Sequence, residues 1–261
     1  MPRFAANLSF LFNEYAFLDR IDAAAEAGFA FVEFLFPYDH PADLLAQRMQ
    51  RAGVRTAMFN LPPGDWDAGE RGLAALPERA DEMREGLQRA LPYLQVLDVK
   101  QVHLMAGFAR GAAADGAYRE AVRWCAGQLA AVGANLLLEP INARDMPGYY
   151  LNDVDAAAAL IEELALPNLK LQFDVYHAQI LHGDITRRLQ RLMPLIGHIQ
   201  IAGVPERHEP DDEELNYAYL FRELDRLGYA GFVGAEYRPR AGTAEGLGWF
   251  APYRRAARAV A

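Results

Sequence analysis

The chain has 261 residues, 52% of them hydrophobic, a single cysteine and a formal net charge of −9. That length suits one domain with a sizeable core, and the acidic balance excludes a nucleic-acid surface, which needs a basic face. No run of about 18 uncharged apolar residues occurs, so no membrane span is expected.

Met1-Pro2-Arg3-Phe4 enters a strand-like segment without the apolar stretch of a signal peptide. Cys125 lies among helix formers, Ala121-Val122-Arg123-Trp124-Cys125-Ala126, and reads as a buried small apolar residue. With no internal disulfide available, the expected compartment is the cytoplasm.

Predicted elements then alternate. A strand at 4–9 precedes a helical pattern at 14–27, whose Ala23-Ala24-Ala25-Glu26-Ala27-Gly28 leads into a strand at 29–36. Gln47-Arg48-Met49-Gln50-Arg51-Ala52-Gly53 likewise delivers a strand at 54–60, glycine just past a helix being the usual left-handed cap. Helical patterns at 78–97, 116–132, 153–164, 177–192 and 214–227 alternate with strands at 99–105, 134–139, 168–174, 196–202 and 231–236. An eighth helix is expected from near Thr243. Eight strands and eight helices in this order imply a parallel sheet covered on both faces. The expected fold is α/β, a single (β/α)8 TIM barrel over residues 1–261, in preference to an open doubly wound sheet. Connections 60–76 and 202–214 are longer than the usual length of about 2–6 residues. Both follow strands, so both should rise from the face where barrel active sites are built. Trp66, Glu70 and Arg71, in a glycine-punctuated loop, look like a substrate cover.

Four polar residues close successive strands in the second half: Glu139, Asp174, Gln200 and Glu236. One acid at a strand end means little, but neighbouring barrel strands lie about 5 Å apart, and four such groups can converge on one hard cation. Three carboxylates and an amide oxygen suit Mg2+ or Mn2+ better than Zn2+. Without a cation the carboxylates would repel and raise one another's pKa. Pro140 ends the ladder after Glu139, so that Asn142 and Asp145 can fold over the site. His177, three residues past Asp174, places an imidazole beside it, whereas His103 and His198 lie inside strands and read as hydrogen-bonded barrel residues. Two glutamates flanking a cation suit proton transfer between adjacent carbons, with the cation polarising the oxygens, which is aldose–ketose isomerisation. No G-x-G-x-x-G, Walker or G-x-S-x-G pattern occurs, so no organic cofactor is expected.

Several segments together resemble the hydroxypyruvate isomerase family of xylose-isomerase-like barrels over almost the whole chain. They are Phe4-Ala5-Ala6-Asn7-Leu8-Ser9, Val32-Glu33-Phe34-Leu35-Phe36-Pro37-Tyr38, Asn60-Leu61-Pro62-Pro63-Gly64-Asp65-Trp66, Ala68-Gly69-Glu70-Arg71-Gly72, Glu139-Pro140-Ile141-Asn142, Gln172-Phe173-Asp174-Val175-Tyr176-His177, Gly197-His198-Ile199-Gln200-Ile201-Ala202, Glu214-Leu215-Asn216-Tyr217 and Val233-Gly234-Ala235-Glu236-Tyr237. The resemblance implies Glu139 and Glu236 as the proton-transfer pair. It implies those two with Asp174 and Gln200 as ligands of a divalent metal, and His177 and Arg207 as holders of the substrate's reacting oxygens. It further implies conversion of hydroxypyruvate to tartronate semialdehyde, with 2-oxo-tetronate isomerisation as the alternative. In both cases Arg71 and Arg207 are candidates for the substrate carboxylate. Gly203-Val204 and Asp211-Asp212-Glu213 depart from the family pattern, and both lie after the seventh strand, where they bear on substrate choice. A polyol dehydratase, a nuclease and a non-catalytic sugar-binding barrel are the competing classes. Apolar faces near Trp124 and Trp249 are candidate contacts of a homo-oligomer, or else packing within one chain.

Overall fold

The computed structural model of the chain describes residues 1–254. Eight strands, β1 (Arg3–Asn7), β2 (Phe31–Phe34), β3 (Arg55–Asn60), β4 (Gln101–His103), β5 (Asn135–Leu138), β6 (Leu169–Asp174), β7 (Ile196–Ile201) and β8 (Phe232–Ala235), close into a barrel in chain order. Every pairing is parallel, including β1 with β8. Each strand is short and buried on both faces, which explains why the strands read as nearly unbroken apolar runs.

Eight α-helices surround the strands: α1 (Phe17–Glu26), α2 (Ala42–Ala52), α3 (Ala80–Val96), α4 (Ala112–Ala130), α5 (Val154–Leu164), α6 (Val175–Leu181), α7 (Ile185–Leu192) and α8 (Tyr217–Arg226). The predicted glycine caps hold, with Gly28, Gly53 and Gly228 all at positive φ. Two expectations fail. The single helix expected over 177–192 is two helices, because Gly183 and Asp184 take positive φ and break it between α6 and α7. The eighth helix expected from Thr243 is a 3-10 segment, Ala244–Tyr253, with Pro252 inside it.

Between barrel and helices lies one large apolar core, to which Phe4, Phe34, Phe59, Tyr118 and Phe250 contribute. Cys125 is buried within it, as expected. Trp249 packs against Phe4, Phe250 and Tyr237, so that aromatic face is used within the chain. Trp124 instead lines a cleft of about 220 Å³ with Met83, Arg84 and Leu76. Inside the barrel, the N-terminal end is plugged by Phe31, Phe232, Arg3 and Arg55, the guanidinium groups lying over the Phe31 and Phe232 rings. Among the described residues no helix is long and apolar enough to cross a membrane.

Candidate active site

The C-terminal ends of the strands deliver the polar residues. Glu139 directly follows β5, Asp174 is the last residue of β6, Gln200 lies next to last in β7, and Glu236 directly follows β8. Register pairs Asp174 with Gln200 and Gln200 with Gly234, so adjacent strand ends present these groups at one level. Asp174 also caps α6, its Oδ1 accepting from the backbone N–H of Tyr176 at 2.8 Å. That leaves Asp174 Oδ2 buried with no hydrogen bond. His177, in the first turn of α6, lies with Nε2 3.6 Å from the same oxygen.

All four predicted strand-end residues are buried and brought together. Gln200 Nε2 donates to Glu236 Oε2 at 2.6 Å. One ligand atom from each of Glu139, Asp174 and His177 lies within 4.8 Å of the others, and this buried set can hold a cation. The fit is chemical as well as spatial. Burial first, and then the charges of Glu236 and Asp174, hold the Glu139 carboxyl well above its ordinary range. Burial pushes Asp174 up to about 6 and Glu236 up to about 8, opposed in each case by Arg207. A positive charge would relieve all three. Burial holds the His177 imidazole neutral, well below its usual range, with Arg207 adding to the effect.

Arg207 enters this cluster from the long connection after β7. Its Nη2 donates to Glu236 Oε1 at 2.6 Å, and its Nη1 to Asp145 Oδ2 at 3.0 Å. The guanidinium lies over the rings of Phe10 and Tyr176 at 5.1 and 4.9 Å. Burial alone would weaken its hold on a proton, but Glu236, Asp174 and Asp145 outweigh that. In the same connection, the two departures from the expected pattern are linked. A side chain at Gly203 would run into the Glu213 carboxylate, which instead pairs with Arg240 at 3.0 Å.

The connection after β3 is tied to the connection after β4. Gly72 and Ala106 form an antiparallel bridge, and Ala75 N–H donates to Ala106 O at 2.8 Å. Gly72 has φ 118°, and any Cβ there would strike the Met105 backbone, so only glycine permits this approach. Arg71 stacks on Trp66 at 3.7 Å and donates to the carbonyls of Trp66 and Glu70. No carboxylate among the described residues pairs with it. Glu70 pairs with Arg79 at 2.6 Å and accepts the Asp65 N–H. Its carboxylate thus ties the loop to the start of α3.

The structure adds residues that the sequence reading passed over. Asn7 Nδ2 donates to Glu236 Oε2 at 2.7 Å, and Gln172 Nε2 donates to Gln200 Oε1 at 2.7 Å. Gln200 therefore shows its amide nitrogen to Glu236, and lending its oxygen to a cation calls for the amide to turn over. Glu33 lies on the barrel axis side of β2 and accepts from Gln200 Nε2 at 2.8 Å. His198 is hydrogen-bonded as expected, to Glu33 at 2.8 Å. His103 is not: its nearest polar neighbour is Glu139, 3.3 Å from Nδ1, neither ring nitrogen has a hydrogen bond, and burial pushes it down to about 3. The signal for Asn7, Glu33 and Gln172 was a polar residue inside an apolar strand run, a weaker mark than a strand end.

Comparison with known proteins agrees with this architecture. Residues 21–253 match a family described as the xylose isomerase-like TIM barrel. A 2-oxo-tetronate isomerase of Cupriavidus necator is 55% identical over 257 residues, covering 97% of this chain and 99% of the relative. A hydroxypyruvate isomerase of Escherichia coli is 41% identical over 258 residues, covering 97% and 100%. A Brucella melitensis structure described as an AP endonuclease of family 2 is 49% identical, with a TM-score of 0.96, covering 98% of this chain and 100% of its own.

Proposed function

The chain belongs to the xylose isomerase-like TIM barrel family, and from that premise we propose that it isomerises small sugar acids by proton transfer between adjacent carbons. The observation that carries this reading is the pair of buried glutamates, Glu139 and Glu236, raised out of the ordinary carboxylate range at the end of a parallel barrel. Carboxyl groups raised in this way can hold a proton and hand it on within one turnover. One glutamate removes the proton from the carbon beside the carbonyl, and the other returns a proton to the neighbouring carbon. Two proteins named as isomerases of such acids, 55% and 41% identical over nearly the whole chain, support it.

Glu139, Asp174 and Glu236 would hold a divalent cation, Mg2+ or Mn2+, with Gln200 as a fourth ligand once its amide turns and His177 beside them. When bound, the cation polarises the substrate's carbonyl and hydroxyl oxygens and supports the negative charge of the enediolate. Arg207 draws Glu236 back toward its ionised form, against the effect of burial, and is placed to meet the reacting oxygens. Arg71, stacked on Trp66 and without an acidic partner, is our candidate for the substrate carboxylate. Glu70 serves by ordering the loop that carries Arg71.

On the strength of the 55% identical relative we favour a 2-oxo-tetronate over hydroxypyruvate as substrate, and both undergo the same shift. Nuclease action finds no support in a chain of net charge −9 whose buried ligand cluster contains one histidine. The test is proton NMR in D2O with hydroxypyruvate and each 2-oxo-tetronate, with and without Mg2+. Conversion with deuterium entering the product supports the reading. Silence on every acid in the presence of Mg2+ overturns it and leaves the dehydratase.

A further inference from the structure

Glu33 is a carboxylate with 0% exposure inside the barrel, and it has no part in the steps above. Its partners are specific. Oε1 accepts from Gln200 Nε2 at 2.8 Å and from Asn7 Nδ2 at 3.2 Å, while Oε2 faces His198 Nε2 at 2.8 Å. The second hydrogen of each amide goes to Glu236 Oε2, at 2.6 Å from Gln200 and 2.7 Å from Asn7. Two carboxamides therefore bridge the same two carboxylates. The amides are also hydrogen-bonded at the other end, Asn7 Oδ1 accepting the Ser9 N–H at 3.0 Å and Gln200 Oε1 accepting from Gln172.

We propose that Glu33 is the positioning residue for Glu236: by accepting one hydrogen from each amide, it aims the other at Oε2 and turns Oε1, the oxygen beside Arg207 Nη2, toward the substrate. Asn7 makes this bridge whether or not Gln200 turns its oxygen to a cation. The space for Glu33 is built in, since a methyl group at Gly234 would collide with its Oε1. An ordinary buried carboxylate would be held by whatever donors lie nearest. This one is held by donors that share their other hydrogen with a catalytic candidate. The proposal rests on the isomerase reading, and specifically on Glu236 serving one end of the proton transfer.

The test uses two variants that disturb the same contact differently. Glu33→Gln keeps the size but replaces an acceptor with a donor among three donors. Gly234→Ala keeps Glu33 and displaces its carboxylate. On the sugar acid that the unmodified chain isomerises, proton NMR in D2O reads both isomerisation and carbon–hydrogen exchange without isomerisation, starting from each end of the reaction. Misplacing Glu236 should slow isomerisation on the order of 10- to 100-fold, with KM little changed. Exchange at the end served by Glu139 should persist, so its ratio to isomerisation rises about tenfold. Folding is checked by circular dichroism and thermal midpoint. If Glu33→Gln does not fold, Gly234→Ala decides. A folded variant with an unchanged ratio, however far its midpoint falls, overturns the positioning role. An unmodified chain that neither exchanges nor isomerises removes the isomerase reading itself, and the proposal with it.

Discussion

Replacing Arg207 with methionine tests how the acid cluster is held together. Methionine keeps an unbranched apolar stem but removes the guanidinium that lies over Phe10 and Tyr176, 2.6 Å from Glu236 and 3.8 Å from Asp174. In surroundings of intermediate dielectric, a pair at such separations is worth about 4 kcal/mol. Breaking a buried pair by removing one partner costs about 3–5 kcal/mol, because the remaining charge is left uncompensated. The variant should therefore lose about 3–5 kcal/mol of stability in urea unfolding when divalent cation is chelated. With saturating Mn2+, a cation within the same carboxylates should restore more than half of that loss. A penalty equal in chelator and in Mn2+ would refute the view that Arg207 and a divalent cation answer the same cluster.

Two further predictions follow from the site. Arg71→Gln should raise KM for the acid substrate about 10- to 100-fold, the scale of a lost charged hydrogen bond, and a KM within twofold of the unmodified chain, an order of magnitude short of that scale, would remove Arg71 from carboxylate recognition. Asp174 and Glu236 have folded pKa values raised by burial to about 6 and about 8, so the stability they contribute is fully present below their unfolded values and is lost as pH rises through the folded ones. The cation-free chain should thus become less stable relative to the Mn2+-loaded chain between about pH 4.5 and pH 8, read as a widening gap in thermal midpoint, and a constant gap would contradict it. The carboxylates held below their ordinary range, Glu14, Glu70, Asp155, Asp211 and Glu223, act in the opposite direction and at lower pH.

The barrel was legible because glycine caps and short apolar runs recur at regular spacing, and a parallel strand buried on both faces has no alternation to confuse with a helix. The strand-end residues Glu139, Asp174, Gln200 and Glu236 were legible for a related reason: a polar group that ends an apolar run has a position the fold assigns. Glu33 and Gln172 escaped because a polar residue inside a strand gives no sign of facing the barrel interior, and Asn7 because the strand expected at 4–9 ran past it. The hydrogen bonds from Gln200 and Asn7 to Glu33 show it. The break between α6 and α7 escaped because the apolar pattern runs on through Gly183-Asp184, and a positive φ at Asp184 is decided by packing. The charge of Arg207, far along a loop, could be placed over Glu236 only by the turn that folds it back, in which Arg207 N–H donates to Gly203 O at 3.0 Å.

The most direct measurement is turnover and deuterium incorporation by Glu139→Gln and Glu236→Gln on the preferred sugar acid, in D2O with saturating Mg2+. Each change keeps the shape of the side chain and removes its ability to carry the proton. Both variants should lose at least about a hundredfold in kcat, the scale of general acid–base catalysis, while remaining folded. If either retained more than half of the unmodified rate, well above the roughly hundredfold-reduced rate expected, that glutamate would not be moving the proton, and the two-glutamate account would be wrong.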